Sequence, residues 1–269
     1  MAGFETILYE ADAGLARITI ARPEKRNAIN AVTFAELGDA AELAASDPEV
    51  RAVLVAGAGP SFCAGIDLTL LAELAGLAAQ AQDDATDFHA FVKRAQRAFV
   101  ALALMPKPSV AAVQGHAVGA GFQLALACDL RVASLDASFG MLEARYGLIP
   151  DLAGVHRLTR LVGPARAKEI VWSTRAVSAN EALAMGFVNR VLPPESLMPE
   201  AERLAREVSA HSPITTALVK ELVEAATERP LETELEREAE AQTKAIRSKD
   251  HEEAVAAFLE RRPPEFKGR

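Results

Sequence analysis

The 269-residue sequence predicts an α/β core followed by a helical C-terminal third. Strand-like and helix-like stretches alternate to about residue 197, and beyond that only helical periodicity remains. In addition, two buried-type strands run directly into glycine-rich turns, where ligands usually meet such sheets. The expected division is therefore 1–197 as the core and 198–269 as a C-terminal helical region.

Thr6 to Tyr9 and Leu15 to Ile20 read as two strands joined by a turn at Asp12-Ala13-Gly14. A helix capped by Asn30 runs through Phe34, Leu37, Ala41 and Ala44 and stops near Asp47-Pro48. Arg51 to Ala56 has the continuous apolar centre of a buried parallel strand. It leaves through Gly57-Ala58-Gly59-Pro60 into a turn that enters a new helix near Leu68. Ala72 to Asp87 is weakly patterned and reads as a flap, and a helix from Asp87 places Phe88, Phe91, Ala95, Ala98, Phe99 and Leu102 on one inward face. After Pro106 and Pro108, Ser109 to Val113 is a strand, Gly115 to Gly121 a turn, and Phe122 to Cys128 an apolar helix. Leu130 to Ala133 is a further strand. Gly163-Pro164 opens a helix, Ser178 to Glu181 is a capping box, Gly186 ends that helix, and Ser212-Pro213 and Asp250 start later ones.

Composition narrows the function classes. The net charge of −8 leaves no basic footprint for nucleic acid or anionic lipid, so a phosphate-bearing ligand must be gripped locally. No apolar run reaches the roughly 20 residues a membrane crossing needs, and the first residues lack a basic and an apolar leader region, so a cytoplasmic protein is expected. The two cysteines, Cys63 and Cys128, lie in buried-type segments and are expected to be reduced.

Four blocks carry more specific information: RPEKRNAI at Arg22 to Ile29, SFCAGIDL at Ser61 to Leu68, PKPSVAAVQGHAVGAGFQLALACDLRVA at Pro106 to Ala133, and FGMLEARYGLIPDLAG at Phe139 to Gly154. With these blocks in this order, the sequence resembles the crotonase superfamily, the enoyl-CoA hydratases and isomerases, over nearly its whole length. The resemblance implies a spiral of ββα units and a C-terminal helical trimerisation region, with assembly as a homotrimer or a dimer of trimers. It implies an acyl-CoA thioester as substrate, with coenzyme A part of that substrate and no separate cofactor.

Proton removal beside a thioester gathers negative charge on the carbonyl oxygen, so two backbone donors are expected there. By resemblance these are the N–H groups of Ile66 and Ala120, with Gly65 and Gly119 allowing close approach and the helix dipole assisting at Ala120. Ala120 stands where the family commonly has glycine. Hydratases hold water between two glutamates; the first of those positions is Gln123, which orients but cannot accept a proton, and the second is Glu143. Asp151 occupies a position that is acidic in dienoyl-CoA isomerases. The leading expectation is double-bond isomerisation with Glu143 as base and Asp151 as second acid/base, the Glu143 pKa being raised by Phe122, Leu142 and Ile149. By the same resemblance, Lys25, Arg26 and Ala28 are expected to border the nucleotide and Ala64 and Asp67 to lie by the adenine and pantetheine, with Leu68 also in the CoA-binding set and Lys267 or Arg269 of the tail, from this or a neighbouring subunit, as further contacts.

Plainer readings stand beside these. Glu143 can be an ion-pair partner of Arg145 or Arg166, Asp151 a helix cap, Gly119 to Gly121 simple close packing, and His116 a structural histidine. The histidines show no metal spacing. Competing functions are an enoyl-CoA hydratase using Glu143 with Asp151, and a non-catalytic acyl-CoA-binding protein.

Overall fold

The computed structural model describes residues 3–80 and 86–269. Its strands are β1 (Ile7–Asp12), β2 (Leu15–Ile20), β3 (Ala52–Gly57), β4 (Ser109–Val113), β5 (His116–Val118), β6 (Leu130–Ser134), β7 (Ser138–Gly140), β8 (Val177–Ser178) and β9 (Arg190–Leu192). The hairpin of β1 and β2 turns on Ala13 and Gly14, whose φ values of 46° and 81° are the positive pair a two-residue turn requires. The larger sheet has the order β1-β2-β3-β4-β6-β9 and is parallel from β2 onward.

The apolar run in β3 is explained by two covered faces. Val53 and Val55 join the main core with Ala111 and Val113 of β4, while Ala52, Leu54 and Ala56 face the other way with Val110, Ala112 and Val132. That second face is closed by Leu197, Ala201, Leu204 and Ala205 of a later helix. Alternation along the strand therefore feeds both layers.

Helices are α1 (Ala31–Ser46), α2 (Leu68–Gln80), α3 (Thr86–Leu104), α4 (Ala120–Ala127), α5 (Gly154–Ser173), α6 (Ala179–Met185), α7 (Pro194–Ser209), α8 (Pro213–Ala225), α9 (Leu231–Ile246) and α10 (Lys249–Glu260). Among the described residues no helix is long and apolar enough to cross a membrane. The caps follow the sequence signals: Asn30 Oδ1 accepts from Thr33 N at 2.8 Å, and the Ser178 and Ser212 hydroxyls accept from Glu181 N and Thr215 N.

Short parallel bridges between Ile29 and Ile66 and between Cys63 and Ala117 continue the smaller sheet β5-β7-β8. β2, β3, β4 and β6 are thus each followed by a short pairing segment and then a helix, which is the ββα spiral. The turn expected at 115–121 contains β5, and β7, β8 and β9 were not anticipated; at two or three residues each they are too short to show a period.

Other expectations need correction. Ala72 to Gln80 belongs to α2, and the rest of the expected flap includes residues 81–85, which lie outside the described residues. Phe88 is 39% exposed, stacked beside Phe91 rather than buried. Gly163, at φ 80° and ψ 164°, breaks α5, and Pro164 restarts it. α10 is capped by Ser248, whose hydroxyl accepts from His251 N at 3.1 Å. Asp250 instead turns to the chain end, accepting from Lys267 N at 2.8 Å and from Ser212 Oγ at 2.7 Å. α7 crosses residue 197 and packs on the sheet.

Candidate active site

Two glycine-rich strand exits meet in space. At the first, Ile29 N donates to Gly65 O at 2.7 Å and Asp67 N donates to Ile29 O at 2.8 Å. Alternation along this extended segment turns the Ile66 N–H away from Ile29, and it has no acceptor among the described residues. At the second, Gly119 takes φ 54° and ψ −124°, a conformation open to glycine, and its N–H donates to Gly140 O at 2.8 Å. Ala120 follows as the first residue of α4, where a backbone N–H has no helical acceptor and the helix dipole is positive.

The approach of these turns can be measured by placing a methyl group on each glycine. On Gly65 it would stand 2.9 Å from Val118 O and 3.8 Å from Ala120 N; on Gly119, 3.6 Å from Glu143 Oε1 and 3.9 Å from Gly65 Cα. Gly65, Gly119, Ala120 and Glu143 therefore surround one space. Gly121 plays the plainer part, packing so closely on Cys63 that a methyl group would overlap the Cys63 carbonyl oxygen. Cys63 and Cys128 are buried free thiols, and burial pushes each up to about 12.

Glu143 is half-buried at the start of a short 3-10 turn, Glu143–Tyr146, after β7. Its Oε1 accepts from Gln123 Nε2 at 2.8 Å, while its Oε2 is buried without a hydrogen-bond partner. Burial raises its pKa, the Asp151 charge adds to the rise, and the Gln123 bond opposes it. Phe122 is fully buried nearby in the chain, but Ile149 is 75% exposed and does not supply the apolar wall expected of it. The ion-pair reading of Glu143 fails: Arg145 donates to Thr174 Oγ1 and Thr174 O, both at 2.8 Å, and Arg166 makes no ion pair among the described residues.

Gln123 is the least expected feature. Its Oε1 accepts from Leu152 N at 2.9 Å and Gly154 N at 3.1 Å, so the amide orientation is set by its partners and the residue caps the entry to α5. The cap reading of Asp151 is thereby replaced, since Gln123 performs that task. Asp151 is half-buried, and burial raises its carboxyl pKa.

The first exit is also tied to the RPEKRNAI segment. Asn27 is fully buried at φ 57°; its Oδ1 accepts from Arg22 N at 3.0 Å, and its Nδ2 donates to Ala58 O at 2.8 Å and Ser61 O at 2.6 Å. Arg26 O accepts from Ala64 N at 2.9 Å, which sets exposed Lys25 and Arg26, with Ala28, beside Ala64. Asp67 is turned inward: Arg22 Nη2 donates to its Oδ2 at 2.8 Å and Thr69 N to its Oδ1 at 3.0 Å, and the Arg22 bond lowers its pKa. Leu68 is 72% exposed at the start of α2. Within one chain the tail does not join this group. Arg51 Nη1 donates to Phe266 O at 3.0 Å, holding Lys267 and Arg269 near the N-terminal ends of β3 and β4, at the opposite end of the sheet. His116 contacts Ser61 Oγ at 3.4 Å on the surface.

Arg22, Gln96 and Arg157 were missed as parts of this assembly. Arg22 opens the first recognised block; the other two offer no sequence signal beyond a polar residue beside an apolar helix face.

Comparison with known proteins agrees with this architecture. The family model described as enoyl-CoA hydratase/isomerase matches residues 10–269. A crotonyl-CoA hydratase of Syntrophomonas wolfei is 34% identical over 98% of both chains, and a carnitinyl-CoA dehydratase of Salmonella enteritidis is 37% identical over 98% of this chain and 99% of its own. A Bacillus anthracis enoyl-CoA hydratase structure matches with TM-score 0.89 at 31% identity, covering 98% and 100% of the two chains. A Thermobifida fusca chain solved in complex with CoA matches with TM-score 0.81 at 33% identity, covering 90% and 93%. Matched over nearly its whole length, this chain belongs to the enoyl-CoA hydratase/isomerase family.

Proposed function

We propose that the protein binds an unsaturated acyl-CoA and moves its double bond, with Glu143 as base and Asp151 as second acid/base. One observation carries this reading: the buried Oε2 of Glu143 is a proton acceptor without a protein partner, while Oε1 is already held by Gln123. An unpartnered carboxylate oxygen is costly to bury and marks the direction from which a proton arrives. Gln123 supplies no second base, because both ends of its amide are occupied.

In a βγ,δε-dienoyl-CoA, Glu143 takes the α-proton. The electron pair moves toward the thioester carbonyl, whose oxygen gains negative charge opposite the Ile66 and Ala120 N–H groups. The double bonds then shift and the Asp151 carboxyl, whose protonated form burial favours, delivers a proton to the ε-carbon, leaving an αβ,γδ-diene. One proton has left the acyl chain and one has returned, so the net charge of the pair is unchanged, and proton exchange with solvent returns the proton from Glu143 to Asp151 before the next turnover. Lys25 and Arg26 suit the phosphates of the nucleotide. Exposed Leu231, Leu235, Phe258 and Leu259 on α9 and α10 support a homotrimer or dimer of trimers.

The second reading, hydration with a water on Glu143 Oε2, is favoured by the names of the relatives. Glu143→Gln decides the base: isomerisation of a βγ-unsaturated acyl-CoA is expected to fall about 10²–10⁴-fold. Unchanged isomerase turnover overturns the assignment. Faster turnover of crotonyl-CoA than of any βγ-unsaturated substrate by the unaltered protein selects hydration.

A further inference from the structure

The segment from Pro150 to Ala153 carries Asp151 yet has no helix or strand of its own, and leads directly into α5 at Gly154. Leu152 and Gly154 are buried, and Ala153 is held at φ 64°, a left-handed conformation that alanine adopts only when its surroundings impose it. Buried main-chain groups need partners, and here side chains from three helices provide them. From α3, Gln96 Nε2 donates to Asp151 O at 2.7 Å. From α4, Gln123 Oε1 accepts from Leu152 N and Gly154 N. From α5, Arg157 Nη1 donates to Leu152 O while its Nη2 donates to Phe99 O of α3, both at 3.2 Å.

Gln123 fixes Glu143 by its other end, so one side chain locates both carboxylates from α4. The Asp151 peptide is left to swing about that anchor unless something holds its carbonyl. Gln96 is the group bonded there. We propose that Gln96 is a positioning residue for the second carboxylate, holding the Asp151 main chain so that its carboxyl group stands at a fixed separation from Glu143 across the acyl chain. This rests on the two-carboxylate reading above. Gln96 acts through the main chain of Asp151. The charged groups acting on or bonded to this segment are Glu143 and Arg157.

A double-mutant cycle on the intact protein tests it, using a βγ,δε-dienoyl-CoA and following formation of the conjugated product. Gln96→Leu is expected to lower kcat about tenfold with KM within twofold. Asp151→Asn is expected to lower kcat about a hundredfold, and on that background Gln96→Leu should add less than twofold. Gln96→Lys, which restores a donor, should recover more than half of the lost kcat, with each variant's melting temperature recorded. Three results overturn the positioning role: an equal kcat loss with and without Asp151, a loss seen in KM alone, or no recovery in a folded Gln96→Lys protein. The parent reading fails separately, by full activity of Asp151→Asn.

Discussion

Gln123→Glu is the substitution that most directly questions the site, because it changes one atom type and almost no volume. The wild-type amide nitrogen lies 2.8 Å from Glu143 Oε1. A carboxylate oxygen in its place sets two negative charges at that distance, a repulsion of about 6 kcal/mol at an effective dielectric of ~20, or roughly 4 pKa units. The pair will keep a proton rather than hold both charges, and it will titrate as one coupled unit above the already raised Glu143. A carboxyl group whose folded pKa exceeds its unfolded value contributes stability that is complete at low pH and lost as pH rises through the folded value. The melting-temperature deficit against wild type should therefore be larger at about pH 8 than at about pH 5. The activity limb governed by the carboxyl pair should move to higher pH, and hydration of crotonyl-CoA should rise relative to isomerisation as a second water-holding carboxyl appears. A pH-independent deficit together with an unmoved limb refutes the geometry assigned to Gln123.

Two further substitutions test the turns. Ala120→Pro removes the proposed α4 donor at a helix position that tolerates proline, and should cost about 3–4 kcal/mol of transition-state stabilisation with a small change in melting temperature; unchanged kcat excludes that N–H from catalysis. Gly121→Ala brings a methyl group within 2.7 Å of Cys63 Cβ as well as onto its carbonyl oxygen, and should lower stability by about 1–3 kcal/mol in a urea melt. An unaltered midpoint would mean that α4 does not rest on Cys63.

The sequence was readable where local chemistry decides structure. Asn30, Ser178 and Ser212 are caps because each hydrogen bond closes within three residues, and the sequence names both partners. Pro164 after Gly163 marks a break for the same reason. The site was readable where a residue type is required by backbone shape, as at Gly65 and Gly119. Gln123 was only half readable: its inability to act as base follows from its amide, but the N–H groups it holds lie 29 and 31 residues away. Asp151 looked like a cap because its neighbour begins a helical pattern, and nothing local reveals that another helix supplies the acceptor. Ser248 was overlooked for Asp250 because both side chains suit a cap. Only the bonds from Ser212, Lys267 and Gly268 show that Asp250 is engaged elsewhere.

On the acyl-CoA reading proposed above, Asn27 gives the segment assigned to the nucleotide a particular character. Knotted to three main-chain groups and shut off from water, it sets the course of the peptide that presents Lys25 and Arg26 before any anion arrives. Capturing a phosphate there immobilises two long side chains, at about 2 kcal/mol apiece, and leaves the peptide beneath them as it was. On that reading, affinity for the far end of the substrate is governed from the interior, by a fully buried amide.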